Sequence, residues 1–253
     1  ANRGNALSSV LEFSQIDGNT DRLKFKGSVV ATDLALTLDG PITEKTTFIA
    51  SVRRSYLQFL FTALELPFLP TYNDFQFKVK SRINEKNEII FLGLGSYDIS
   101  NLNLKANKTE DQRYILSYLP VNKQWSYTFG LVYKHFYKNG FDTWVLSRNH
   151  LNNGAYKYYN NIEVDSLKTL DYNSYEGENK LRFEHTSRFD NGLKLNYGLN
   201  LEQAGYSNNT YSRSFANNVP FEINYDSELD LFKWGVFGQV SKGFAKERLI
   251  LSF

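Results

Sequence analysis

The chain has 253 residues, with 29 basic against 27 acidic side chains and a net charge of +2. That balance creates no long-range field for nucleic acid, and with no cysteine there is no thiol catalysis, thiolate metal site or disulfide framework. The unusual quantity is the aromatic share, 16% with 20 Phe and 17 Tyr, beside a mean hydropathy of −0.44.

In chain order, alternating runs are expected as strands at about 23–38, 46–58, 74–82, 88–98, 112–119, 124–138, 178–187, 192–206, 229–241 and 247–253. Phe75, Phe77 and Val79 alternate with Gln76, Lys78 and Lys80. Trp125, Tyr127, Phe129, Leu131 and Tyr133 alternate with Ser126, Thr128, Gly130, Val132 and Lys134. Leu193, Leu195, Tyr197, Leu199 and Leu201 face away from Lys194, Asn196, Asn200 and Glu202. A period of two places successive side chains on opposite faces of a sheet. No stretch supplies the ~18–20 apolar residues of a spanning helix; Leu57 to Pro70 is interrupted by Glu65 and Pro67.

The links alternate in length. Short turns are expected at Asp39-Gly40-Pro41, Asn84–Asn87, Pro120–Lys123, Asp190-Asn191-Gly192 and Lys242-Gly243, where turn-forming residues cluster. Long links are expected at 59–73, 99–111, 139–177 and 207–228. Several runs approach ~14 residues, where globular strands have ~5–6 and a membrane-crossing strand needs ~9–11. The fold expected is all-β: an antiparallel transmembrane β-barrel segment with long strands, short periplasmic turns and long extracellular loops. A barrel spreads its apolar residues over alternate positions, so a hydrophilic average is compatible with a life in lipid. The alternatives are a complete small outer-membrane barrel, passive or adhesin-like, and a soluble ligand-binding β-sandwich. Trp125, Tyr133, Tyr137, Tyr197 and Trp234 are expected at the membrane interface.

Particular segments carry a family resemblance. Gly4–Phe13 followed by Asp17-Gly18-Asn19 resembles the last plug strand of TonB-dependent outer-membrane receptors. Phe25-Lys26-Gly27-Ser28, Leu36–Ile42 and Phe48–Leu57 look like the first barrel hairpin of the Bacteroidota-type members. Tyr133-Lys134-His135-Phe136 and Val145–Asn149 are similar to later parts of the same group. The resemblance implies a fragment: residues 1–20 as the end of the plug and its link, and 21–253 as the first ten or so strands. It implies active import of a glycan, peptide, siderophore or similar substrate. TonB would be the partner, through a segment missing from this chain, with outer-membrane lipid around the barrel and a surface lipoprotein lid as a further partner. The implied location is the outer membrane of a Gram-negative bacterium. The absence of methionine fits a mature or excised piece.

Alternation sends Arg53 into the lumen, toward substrate or a plug carboxylate, and Arg54 outward to snorkel at the interface. The apolar stretch Leu57–Pro70 is a candidate partner patch or a packing segment. Tyr156, Tyr158, Tyr159, Tyr172, Tyr175 and Tyr211, set among Asn and Gly, are candidate substrate-facing aromatics in outer loops. Asp165, Asp171, Glu176 and Glu178 lack the regular spacing of a calcium loop. His135, His150 and His185 lack that of a metal site. No catalytic residue, metal or cofactor is expected.

Overall fold

The computed structural model describes residues 12–216, 219–244 and 249–252. Of the expected plug strand Gly4–Phe13, residues 4–11 lie outside the described residues, and Glu12 and Phe13 form no strand. Among the described residues eleven strands form one sheet in sequence order, every neighbour antiparallel. They are β1 (Lys24–Val29), β2 (Asp33–Thr43), β3 (Thr46–Ser55), β4 (Phe68–Asn84), β5 (Asn87–Leu102) and β6 (Val121–Tyr137). Then follow β7 (Gly140–Tyr158), β8 (Lys168–Arg188), β9 (Leu193–Ala216), β10 (Val219–Phe244) and β11 (Leu249–Ser252).

In such a meander, successive links alternate between two ends. At the turn end, Glu44–Lys45, Glu85–Lys86, Lys138–Asn139 and Phe189–Gly192 make tight connections. At the loop end, longer connections hold α1 (Leu57–Ala63), α2 (Glu110–Tyr118) and two short 3-10 turns between β7 and β8. From β4 to β10 the strands run 17, 16, 17, 19, 21, 24 and 26 residues. That exceeds what a bilayer crossing requires, and the surplus extends the sheet beyond the membrane at the loop end.

Several boundaries correct the sequence reading. The run 23–38 is the hairpin of β1 and β2. Asp39-Gly40-Pro41 is not a turn: it continues β2, and Gly40 is where Leu23 crosses. A Cβ on Gly40 would meet the Leu23 Cα at 2.8 Å. Residues 112–118 are helical, not extended, because Thr109 and Gln112 form a reciprocal capping box that starts α2; only Leu119, its C-cap, is extended. Pro120 leads into β6 and Val121–Lys123 begin it; the turn follows Tyr137. Lys242-Gly243 lies inside β10, paired with Leu251 and Ile250. The segment 139–177 is not a long loop but the whole of β7, two 3-10 turns and the start of β8, and 207–228 is the far end of β9 and β10. Past Ser147 in the first segment and through the second, polar residues occupy both faces, so the apolar alternation that marks a strand is lost. Cross-strand amide contacts hold the ladder, as where Asn152 Nδ2 donates to Asn173 Oδ1 at 3.0 Å.

The register divides the faces. One cross-strand row reads Phe48, Val79, Phe91, Leu131, Leu146, Leu181, Leu201, Trp234. All eight are apolar, and no second layer covers them: Leu146 is 56% and Trp234 70% exposed. A row on the opposite face reads Ser51, Gln76, Leu94, Thr128, Asn149, Glu178, Ala204, Leu231. The few buried apolar residues among those described, Ala106, Leu116 and Val121, sit at the loop end rather than in a core between sheets. A soluble sandwich would bury its apolar face against a second sheet; here all eleven strands belong to one. No described helix is long and apolar enough to cross a membrane, whereas a continuous apolar band on long strands is the surface a barrel presents to lipid.

Candidate functional site

The polar face carries the chemistry. Residues 12–23 form no strand; they lie across the inner, polar face of β3 and β4. Asp17 is gripped by Lys78 at 2.7 Å and Lys80 at 2.8 Å, and Lys78 also donates to the Gln15 carbonyl at 2.7 Å. Lys80 reaches Glu88 at 3.4 Å, which extends the network to β5. Burial favours a protonated Asp17, but the two lysines more than offset it and hold its carboxyl below the ordinary aspartate range. Gly18 is buried against the Phe48 backbone: a Cβ there would stand 2.1 Å from its carbonyl oxygen. Asn19 N–H donates to Asp39 at 3.2 Å, so the segment is fixed at both ends of its crossing.

Toward the loop end of the same face, β2 to β6 form a concavity of about 800 Å³. Arg53 stands in it. Its Nε donates to Asp74 Oδ2 at 2.8 Å, and its guanidinium lies 5.2 Å from the Tyr72 ring centroid. The Tyr72 hydroxyl donates to Asp33 at 3.2 Å. Ser96 Oγ is 3.2 Å from Ser126 Oγ and 3.3 Å from Asp98 Oδ2, and Gln76, Gln124 and Asn122 complete the wall. Hydroxyl, amide and carboxylate groups converging on one hollow suit a ligand that hydrogen-bonds at many points. Arg53 thus faces the lumen side, but its carboxylate is Asp74 of β4 and not a residue of the N-terminal segment.

The tyrosines do not form one platform. Tyr172 shares the inner face, with its hydroxyl 2.8 Å from Ser174 Oγ. Tyr156, Tyr175 and Tyr211 lie on the opposite face: Lys123 stacks over Tyr156, Tyr175 meets His150, and Tyr211 donates to Glu222 at 3.0 Å. Tyr158 ends β7 beside Lys168, and Tyr159 is exposed in the following 3-10 turn. Because these residues belong to strands, alternation separates them. The acidic residues are likewise dispersed: Asp171 pairs with Lys168 at 3.0 Å, and Glu178 with Lys180 at 2.5 Å on the inner face.

On the outer face Trp125 stands at the loop-end edge of the apolar band, paired with Tyr97 and 4.0 Å from the His150 ring. Tyr133 and Tyr137 stand at the turn-end edge, donating to Asn87 at 2.6 Å and Asp142 at 2.5 Å; Tyr197 packs against His185 at the same level. From Trp125 to Tyr137 is about 40 Å of strand, or about 30 Å once tilted ~40°, close to the hydrocarbon thickness. Trp234 pairs with Leu201, and the outward positions of β10 turn from Phe232 to Asp230 and Glu228 just beyond it toward the loop end.

Sequence reasoning passed over Lys157. It is buried on the loop side and donates to the Leu116 carbonyl at 2.5 Å, the Leu119 carbonyl at 2.8 Å and Asn161 Oδ1 at 2.6 Å. It fastens the C-terminal turn of α2 to the link between β7 and β8, where a cation complements the free carbonyls.

With this geometry in hand, known structures can be compared. The chain superimposes on FpvA of P. aeruginosa, solved bound to pyoverdines, with a TM-score of 0.57 over 93% of this chain and 36% of that one, at 11% identity. The ferric yersiniabactin uptake receptor FyuA from Yersinia pestis gives 0.54 over 84% and 34%, at 8% identity. The ferric-catecholate import receptor Fiu from E. coli K12 gives 0.51 over 89% and 46%, at 10% identity. The fold is that of the TonB-dependent receptor barrel. The chain spans less than half the length of these receptors. No family model matches the sequence, and no curated protein sequence matches it.

Proposed function

We propose that this chain is the N-terminal part of the barrel of an outer-membrane active transporter, driven through TonB, in a Gram-negative bacterium. The carrying observation is the N-terminal segment fixed across the inner face by Asp17, Gly18 and Asn19. A plug leading into its own barrel would enter along that path. The shared fold with siderophore receptors supports the same reading. The concavity around Arg53, Tyr72, Asp74 and Asp98 is the part of the substrate site contributed by this chain. Its hydroxyl, amide and carboxylate groups, with Arg53 paired to Asp74, suit a hydroxyl-rich substrate, a glycan or siderophore, as well as a peptide. Residues 1–20 are the end of the plug. The Bacteroidota subtype follows from the sequence motifs, and with it a surface lipoprotein lid over the loop end. No enzymatic step is assigned to it. The test is uptake by cells carrying the native polypeptide, with and without TonB. Uptake abolished without TonB supports the proposal; equal uptake overturns it in favour of a passive channel.

A further inference from the structure

Charge on the inner face is sorted by height. The inward row Ser51, Gln76, Leu94, Thr128, Asn149 and Glu178 divides it. On the turn side of that row stand Lys78, Lys80, Lys134, Lys180, Arg182 and Lys233, outnumbering the carboxylates beside them. On the loop side the inward carboxylates are Asp33, Asp74, Asp98 and Glu176. The cations there are already spent among the described residues. Arg53 holds Asp74 at 2.8 Å, and Lys157 holds the carbonyls at the end of α2. Lys168, at the tip of β8, holds Asp171 at 3.0 Å.

Two of these carboxylates have no cation among the described residues. Asp98 is half-buried in the 800 Å³ concavity, where its one hydrogen bond comes from the Ser96 hydroxyl at 3.3 Å. Glu176 stands in a second hollow of about 630 Å³, and Ser126 lines both. Across the sheet β5 and β8 are three strand spacings apart, about 14 Å. The register puts Glu176 level with Leu151, Ser126 and Ser96, one inward step below Asp98. Gln124, Ser126, Asn153 and Ser174 lie between the two acids.

This arrangement selects a ligand by charge as well as by hydrogen bonding. A carboxylate only accepts, and an ammonium only donates, so each spare acid is complementary to an amine. The hydroxyls and amides between them both donate and accept, as sugar hydroxyls require. Every strand from β2 to β9 is paired on both sides, so the hollow has no open edge for a peptide backbone to extend. We infer that the joined hollows bind a glycan bearing charged amines, with Asp98 and Glu176 each accepting from an ammonium group. An anionic ligand would instead meet two uncompensated carboxylates. The inference names the substrate class of the site proposed above and rests on that reading.

The experiment uses the native polypeptide that carries this chain, purified in a neutral maltoside. Calorimetric titration compares the β-1,4-linked glucosamine hexamer with cellohexaose, which has the same linkage and a hydroxyl in place of each amine. Mildly acidic buffer keeps the amines charged and the carboxylates ionised. The glucosamine hexamer should bind about tenfold more tightly. Asp98→Asn should remove about tenfold of that affinity and Glu176→Gln about threefold, with cellohexaose unaffected by either. Asp230→Asn removes an acid from the outer face at the same end of the sheet and should change neither ligand. Heat-modifiable mobility on gels confirms that each variant is folded. Equal affinity for the two hexamers, no binding of the glucosamine hexamer, or unchanged binding by the folded double variant would overturn the site. Pentalysine binding as tightly as the glucosamine hexamer would overturn the glycan class in favour of a cationic peptide. Binding is read on purified protein without TonB, so its failure is distinct from a failure of TonB-dependent uptake.

Discussion

Arg53 and Arg54 are consecutive in sequence and live in different solvents. Arg53 faces a polar hollow, pairs with Asp74 and stacks near Tyr72. Arg54 faces outward at the rim of an apolar groove and finds only the Asn73 amide. The same pair of positions, propagated across the sheet, separates a face of Lys, Glu, Asn, Gln and Ser from one of Leu, Phe, Val and Trp. The lesson is that in this fold function is distributed by parity. A one-residue shift of register would exchange the two faces wholesale.

Four substitutions break or sharpen that contrast, from the largest expected effect to the smallest. Leu131→Lys, in mid-band on the outer face, should destabilise the barrel by about 2–4 kcal/mol. Thr128→Lys, on the inner face, should cost under about 1 kcal/mol. Urea unfolding in lipid vesicles measures both, and equal costs would show that the two faces are not in different media. Lys157→Met leaves the carbonyls of Leu116 and Leu119 without their donor and should cost about 1–3 kcal/mol locally. Hydrogen exchange should then rise in α2 and not in the apolar band. Gly18→Leu collides with the Phe48 backbone and should lift the N-terminal segment at a cost of about 1–3 kcal/mol. Protease sensitivity between residues 12 and 23 reports it.

The smallest effect is a pH dependence. The folded Asp17 carboxyl lies below its ordinary value, so its contribution to docking is present above the unfolded value near 3.8. It is lost as pH falls through the folded one. Because the Asp17 side chain is 46% exposed, the amount is under about 1 kcal/mol. A fluorophore on the N-terminal segment should report release in acid for the native chain and no such step for Asp17→Asn.

How much of this was legible beforehand follows the polarity of each segment. Where one face meets lipid, as along 124–138 or 192–206, alternation revealed the strand and its orientation. Where both faces meet water, as along 148–158 and 207–228, the same ladder continues with little apolar signature, and the sequence reads as loop. The helix α2 had a local signal in Thr109 and Gln112, which the apolar alternation of 112–119 masked. The placement of Arg53 opposite Arg54 was legible from parity alone; the identity of its partner was not. The tyrosines looked like one recognition surface only while they were taken for a loop.

Composition and period alone determined that the chain is all-β, that its strands are long, that one face is apolar, and that Arg53 and Arg54 part ways. These are local properties, set by which side of a pleated backbone each side chain leaves. Tertiary structure decided what depends on register between strands: that Asp74 is the partner of Arg53, and that Asp17 is held by two lysines more than sixty residues away. It also decided that Gly18 and Gly40 serve close backbone crossings rather than turns. Nothing within a short window of sequence encodes those contacts, because each joins groups brought together only when the strands are paired.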